Sequence, residues 1–145
     1  MKARDLMTPD PAQVTPSDSL QRVSQLMAEH DCGCIPVVTA ADQRSLVGVV
    51  TDRDIAIRAV AEGRPATTPV GEIMTPNPDC VTPDDDLERV EKLMSDRQIR
   101  RVVVVDDAGD CVGIIAQADL ARAAKRSSDP SPKEMVDVLE KISQP

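Results

Sequence analysis

The sequence predicts an α/β (α+β) chain built from two tandem copies of one β-α-β-β-α unit, and three observations carry that prediction. A segment recurs: Leu6-Met7-Thr8-Pro9-Asp10-Pro11 returns as Ile73-Met74-Thr75-Pro76-Asn77-Pro78. The same offset of 67 (Met7 to Met74) aligns Val14-Thr15-Pro16 with Val81-Thr82-Pro83 and Val37-Val38 with Val104-Val105. Each copy then carries one apolar stripe of helical period, Leu20, Val23, Leu26, Met27 and Leu87, Val90, Leu93, Met94. After each stripe come two β-branched runs separated by a turn rich in Asp or Gly, the pattern of a hairpin.

Taken in order, the opening strand of each copy falls around Val14 and Val81. Thr15-x-x-Asp18 and Thr82-x-x-Asp85 read as helix N-caps, with Pro16 and Pro83 at the first helical position. The striped helices follow. The hairpins pair Ile35–Val38 with Leu46–Val50, and Arg101–Val105 with Cys111–Ile115. Beyond Val47-Gly48-Val49-Val50 and its counterpart Val112-Gly113-Ile114-Ile115 the offset is 65, so one loop is two residues shorter in the second copy. A second helix begins near Asp52 and again near Gln117. The expected organisation is a first repeat over 1–63, a linker at 64–70, a second repeat over 71–126 and a tail at 127–145. In that tail Met135, Val138, Leu139 and Ile142 space out a short amphipathic helix behind Ser131-Pro132.

Size and charge narrow the function. At 145 residues and 15.6 kDa there is room for one compact domain or two half-size units. The formal charge of −8 opposes non-specific attraction to nucleic acid or to an anionic membrane, and no run approaches the roughly 20 apolar residues of a span. A soluble cytoplasmic protein is expected, with no membrane partner and no direct nucleic-acid binding. With no Phe, Tyr or Trp, the core must be packed from Val, Ile, Leu, Met and Ala, and no base can stack on a ring. Four cysteines, Cys32, Cys34, Cys80 and Cys111, form no C-x-x-C and read as buried thiols. His30, Asp31, Cys32 and Cys34 offer soft metal ligands, but their spacing matches no standard finger, so no metal is expected. His30 is the single histidine, and neither G-x-S-x-G nor a P-loop occurs, so no catalytic residue is assigned and no enzyme is expected.

The most informative stretch is Val47-Gly48-Val49-Val50-Thr51-Asp52-Arg53-Asp54-Ile55, where a strand runs straight into a helix and leaves unpaired amides at the positive end of the helix dipole. Such an end favours a phosphate. Thr51 can add a hydroxyl donor, and Asp54 can accept both hydroxyls of a ribose diol. Thr51-x-x-Asp54 is equally a capping pattern in which the two side chains serve their own backbone. Spacing alone leaves both readings open.

The duplicated Met-Thr-Pro opening, the Pro-Val-Val strand and the Val-Gly-Val-Val-Thr-x-x-Asp-Ile turn together resemble a tandem pair of CBS domains over residues 3 to 124, most like small stand-alone actinobacterial members of the hypoxic-response type. The resemblance implies two repeats packed by their sheets into a pseudo-twofold disc with two clefts. It also implies a regulatory module that binds an adenine nucleotide or S-adenosylmethionine, requires no cofactor, and forms a homodimer that signals to an effector protein. A structural dimerisation module with degenerate clefts is the alternative. Carried over by motif, Asp54 would hold a ribose, Thr51 a phosphate and Val49 an adenine face, with Thr75 and Pro76 closing the pocket. In the second cleft Thr8, Pro9, Ile114 and Asp119 correspond, but Ala116 replaces Thr51. Both hydroxyl donor and helix cap are expected to be missing there, weakening phosphate binding by about 1–3 kcal/mol. Arg100 and Arg101 stand where the first copy has Gly33 and Cys34. Strand alternation sends them to opposite sides, and in nucleotide-sensing members basic residues at this place contact phosphates, a bidentate task that suits a guanidinium.

Overall fold

Why each copy folds as it does follows from its alternation of stripe, strand and turn. The structure, a computed structural model, describes residues 1–126 and 132–143. In chain order it contains α1 (Ala3–Leu6), β1 (Thr8–Pro9), α2 (Leu20–His30), β2 (Cys34–Ala40), β3 (Gln43–Thr51) and α3 (Asp52–Asp54), which continues as a π-helical segment, Ile55–Val60. A 3-10 turn at Val70–Glu72 precedes β4 (Thr75–Pro76), β5 (Cys80–Val81), α4 (Leu87–Arg97), β6 (Arg101–Val105), β7 (Cys111–Ala116), α5 (Gln117–Arg126) and α6 (Pro132–Ser143).

The chain divides into two units by its contacts. One, the first-repeat unit, comprises Asp10–Pro78 with Asp107–Cys111; the other, the second-repeat unit, comprises Met1–Pro9, Asp79–Asp106 and the described residues from Val112 on. Each body therefore carries an opening segment that precedes the other repeat in sequence. In the second-repeat unit Ala3 N donates to Asp85 O (2.8 Å), Arg4 N to Pro83 O (3.1 Å) and Leu87 N to Met1 O (3.0 Å). In the first-repeat unit Val70 N donates to Asp18 O (2.8 Å), Gly71 N to Pro16 O (3.0 Å) and Leu20 N to Thr68 O (3.0 Å). These are the same three bonds, displaced by the repeat.

Sheet order repeats in the same way. The second-repeat unit has the order β1-β7-β6-β5, with β5 parallel to β6 and β1 antiparallel to β7. The first-repeat unit has β2-β3-β4, all antiparallel, and a parallel bridge from Val14 to Val37 stands where β5 pairs with β6. Behind each sheet the stripe residues are buried as predicted: Val23 in one unit, Val90 and Met94 in the other. Cys34 and Cys111 are buried thiols and Cys32 and Cys80 half-buried ones. Burial, and then the carboxylates of Asp79 and Asp85, push the Cys80 thiol above its ordinary range, which opposes thiolate chemistry there.

The N-caps expected for α2 and α4 are corrected. Thr15-x-x-Asp18 and Thr82-x-x-Asp85 do not cap α2 and α4. Each closes a turn of its own: Asp18 Oδ2 accepts from Thr15 N (2.8 Å), and Asp85 Oδ2 from Thr82 N (2.8 Å). The helices start further on, at Leu20 behind the N-cap Ser19, whose Oγ accepts from Arg22 N (3.1 Å), and at Leu87 behind Asp86. A capping box and an isolated turn share one local pattern, so spacing did not separate them. The second helix of the first copy is mostly π-helical, with Ala61 N reaching back five residues to Ala56 O (2.9 Å). Its counterpart α5 is an ordinary α-helix.

The predicted C-terminal helix exists as α6 and docks on its own unit, where Ile142 is buried and Val138 and Leu139 pack against the core. Its expected start at Ser131, and the break at 127–131, lie outside the described residues. Among the described residues no helix is long and apolar enough to cross a membrane.

Candidate functional site

In each unit a Thr-Pro segment crosses the second strand of the hairpin just before that strand enters a helix. In the first-repeat unit Val49 pairs with Thr75 and Gly48 with Pro76; in the second, Ile114 pairs with Thr8 and Gly113 with Pro9. Glycine lets the two segments approach closely at the crossing. A Cβ on Gly48 would meet Met74 Sδ at 2.5 Å and the Thr75 carbonyl at 3.0 Å, and one on Gly113 would collide with Met7. Val49, Thr51, Asp54, Thr75 and Pro76 thus belong to one unit, and Thr8, Pro9, Ile114 and Asp119 to the other.

At the head of α3 both halves of a capping box are made: Asp54 N donates to Thr51 Oγ1 (3.1 Å) and Thr51 N to Asp54 Oδ2 (2.9 Å). Of the two readings the sequence left open, capping is the arrangement observed. It does not exhaust either group, since the Thr51 hydroxyl keeps its proton to donate and Asp54 keeps Oδ1. Arg58, one turn further on, places Nε 3.7 Å from that Oδ1, and its guanidinium also reaches Ile73 O (3.3 Å) and Thr75 Oγ1 (3.5 Å). One cation therefore ties the helix head to the opening segment.

At the head of α5 Ala116 has no hydroxyl to accept from Asp119 N, so that half of the cap is lost and only the reciprocal half survives. Ala116 N still donates to Asp119 Oδ2 (2.7 Å), because this half of a capping box needs only the backbone of the first residue. What Ala116 removes is the hydroxyl. Asp119 is buried, and its Oδ1 accepts from the Arg122 guanidinium. A cavity of about 300 Å³ opens here, lined by the chain from Asp5 to Pro9, by Met1, and by Asp119, Arg122, Ala123 and Arg126 of α5. Pockets of this size and larger commonly hold small ligands.

Arg100 and Arg101 lie in the second-repeat unit. The Arg100 carbonyl accepts from Gln117 N (2.9 Å), as Gly33 O accepts from Asp52 N (3.0 Å) in the other copy, so these arginines flank the head of α5. Arg100 is exposed and Arg101 half-buried. The sequence reading missed Arg58, Arg122 and Arg126. Their signal was present as spacing, since Arg58 and Arg122 stand four and three residues after a helical aspartate, and Arg126 four after Arg122, on one helix face. Around His30 no cluster of metal-binding residues is assembled, nor anywhere else among the described residues.

A strand-to-helix turn bearing an aspartate, crossed by a Thr-Pro segment and built twice, defines the class. The chain belongs to the CBS-domain family, whose domain matches residues 3–60 and 70–126. Among curated relatives it is 43% identical over 118 residues to the CBS domain-containing protein YhcV of Bacillus subtilis, covering 81% of each chain. It is 35% identical over 121 residues to Hypoxic response protein 1 of Mycobacterium tuberculosis, covering 83% of this chain and 82% of that one. Among solved structures, Hypoxic Response Protein I with two coordinated zinc ions superposes with a TM-score of 0.76 at 33% identity, over 84% of this chain and 98% of that one. CBSX2 of Arabidopsis thaliana in complex with AMP gives 0.75 at 30% identity, over 86% and 96%. The CBS domain pair of MJ0100 in complex with 5′-methylthioadenosine and S-adenosyl-L-methionine gives 0.77 at 28% identity, over 85% and 98%.

Proposed function

We propose that this chain is a non-enzymatic regulatory module that binds an adenine nucleotide at the two helix heads described above. The observation that carries the reading is the duplicated arrangement itself. Asp54 and Asp119 each have one carboxylate oxygen fixed by a backbone amide and the other directed beside an arginine, next to a Thr-Pro segment. A carboxylate so oriented is matched to a ribose diol. The free amides expected at the head of α3 are not there, since Asp52 N, Arg53 N and Asp54 N donate to Gly33 O, Asp52 Oδ1 and Thr51 Oγ1. A phosphate at that head is therefore held by the Thr51 hydroxyl proton at the positive end of the helix dipole. Similar CBS pairs crystallised with AMP, or with 5′-methylthioadenosine and S-adenosyl-L-methionine, support the adenosine part of the ligand.

In this reading Val49, Thr51, Asp54, Thr75 and Pro76 serve one cleft. Thr8, Pro9, Ile114 and Asp119 serve the other; Arg100 and Arg101, which the sequence grouped with Thr51 and Asp54, lie in the second-repeat unit beside the head of α5 and are assigned there instead. The module works in the cytoplasm as a homodimer, without a required cofactor, and passes the signal to an effector protein. The exposed Ile57 and Val60, 46% and 70% accessible on the helix that follows Thr51, favour a protein contact there. They also keep alive a second reading, in which that contact is the whole function. Calorimetry separates the two. AMP, ADP, ATP or S-adenosylmethionine is expected to bind the wild type and to bind Asp54→Ala and Asp119→Ala more weakly. Absence of binding by all four would leave the interaction module.

A further inference from the structure

The arginine that holds Asp119 has a consequence for which adenosine the second-repeat unit selects. Asp119 is only 9% exposed, its Oδ2 is engaged by Ala116 N at 2.7 Å, and its Oδ1 is engaged by Arg122. A ribose diol approaches the same Oδ1 of this nearly buried carboxylate and so competes with the guanidinium for it. Neutral hydroxyls alone replace a charge-assisted bond poorly. A ligand that brings its own anion into the cavity gives the displaced guanidinium a new partner. Arg122 can make that move, because its side chain is 63% exposed and lines the same cavity of about 300 Å³ as Arg126, one turn further along α5. The other acid of the lining, Asp5, has its Oδ2 engaged by Lys2 N (2.9 Å).

Resting on the reading that this cleft holds a ribose at Asp119, we propose that Arg122 is its specificity-determining residue. It exchanges Asp119 for the 5′-phosphate, with Arg126 beside it, and so selects adenosine 5′-phosphates against adenosines that carry no anion. The first-repeat unit lacks this exchange in the same form. Ile57 occupies the position of Arg122, and Arg58 stands 3.7 Å from Asp54, beyond hydrogen-bond length, with its guanidinium already on Ile73 O and Thr75 Oγ1.

The test uses the full chain labelled with nitrogen-15 and follows the amides of Thr8 and Ala123, which report this cavity. AMP and 5′-methylthioadenosine are titrated, two ligands that share adenosine and differ in the anion. Wild type is expected to prefer AMP. Arg122→Ala should weaken AMP roughly ten- to a hundredfold and leave 5′-methylthioadenosine unchanged or tighter, and Arg122→Lys should restore part of the preference. If both ligands bind and their affinity ratio is the same in wild type, Arg122→Ala and Arg122→Gln, the proposal is wrong while the ribose reading stands. If neither ligand moves Thr8 or Ala123 in the wild type, the nucleotide reading of this cleft falls and takes the proposal with it.

Discussion

The two units use one architecture and finish its helix head differently. In the first-repeat unit Thr51 and Asp54 exchange two bonds, and the helix then widens into π geometry and leaves Ile57 and Val60 in solvent. In the second, Ala116 leaves a single bond, Arg122 occupies the rest of Asp119, and α5 is a regular helix covered by α6. The carboxylate and its backbone amide are common to both, and everything around them differs. Under the proposed function the shared part would set where a ligand sits and the unshared part what each cleft accepts.

The contrast in packing should give the largest effect on stability. Leu120 is fully buried, whereas its repeat mate Ile55 is only partly so. Leu120→Ala should cost about 2–5 kcal/mol and Ile55→Ala less, as read by urea unfolding; equal costs would mean that the two helices are anchored alike. Next come the crossing glycines. Gly48→Ala and Gly113→Ala should each cost about 1–3 kcal/mol, because each new methyl meets an atom that cannot rotate aside, the Thr75 carbonyl at 3.0 Å in one unit and Met7 Cβ at 3.0 Å in the other. Thermal denaturation of both variants, with nucleotide affinity measured in parallel, checks that the opening segments are held at these two points.

A smaller effect should come from the cap itself. Thr51→Ala is expected to lose about 1 kcal/mol and Ala116→Thr to gain up to a similar amount, so the double exchange should come out near neutral in chemical denaturation. If Ala116→Thr is destabilising, α5 cannot accept the fuller box and the two helix heads differ by more than one hydroxyl.

The smallest effect concerns the pair that fastens the N-terminal segment to the second-repeat unit. Lys2 Nζ lies 2.7 Å from Asp86 Oδ1 in full solvent, and the Asp86 hydrogen bond and charge raise the Lys2 pKa, while Lys2 lowers that of Asp86. A raised lysine stabilises below its ordinary pKa and loses that contribution as pH climbs through the raised value. A depressed carboxylate stabilises above its ordinary pKa and loses it as pH drops through the depressed one. Wild type should therefore melt slightly above Lys2→Met between about pH 5 and 9 and converge with it at both extremes, measured as Tm against pH. A constant offset at every pH would assign the difference to packing instead.

Much of this was legible in the sequence because it is local or periodic. The stripes placed α2 and α4, the β-branched runs placed both hairpins, and the repeated Met-Thr-Pro and Asp54/Asp119 positions placed the two helix heads. Two features resisted for a physical reason. The reciprocal bonding of the opening segments, Ala3 to Asp85 and Val70 to Asp18, depends on long-range pairing that no local pattern encodes. The roles of Arg58 and Arg122 were hidden because an arginine one turn beyond an aspartate looks the same whether it faces solvent or a site. The start of α2 was misread for a different reason, since Thr15-x-x-Asp18 carries a cap's sequence on a turn.

The central claim is that Asp54 and Asp119 are the ligand-holding groups of their units. Titration calorimetry of AMP into wild type, Asp54→Ala, Asp119→Ala and the double variant tests it most directly. The account predicts binding to the wild type, at least a tenfold loss at one cleft in each single variant, and none measurable in the double variant. AMP binding that survives undiminished in the double variant would contradict it.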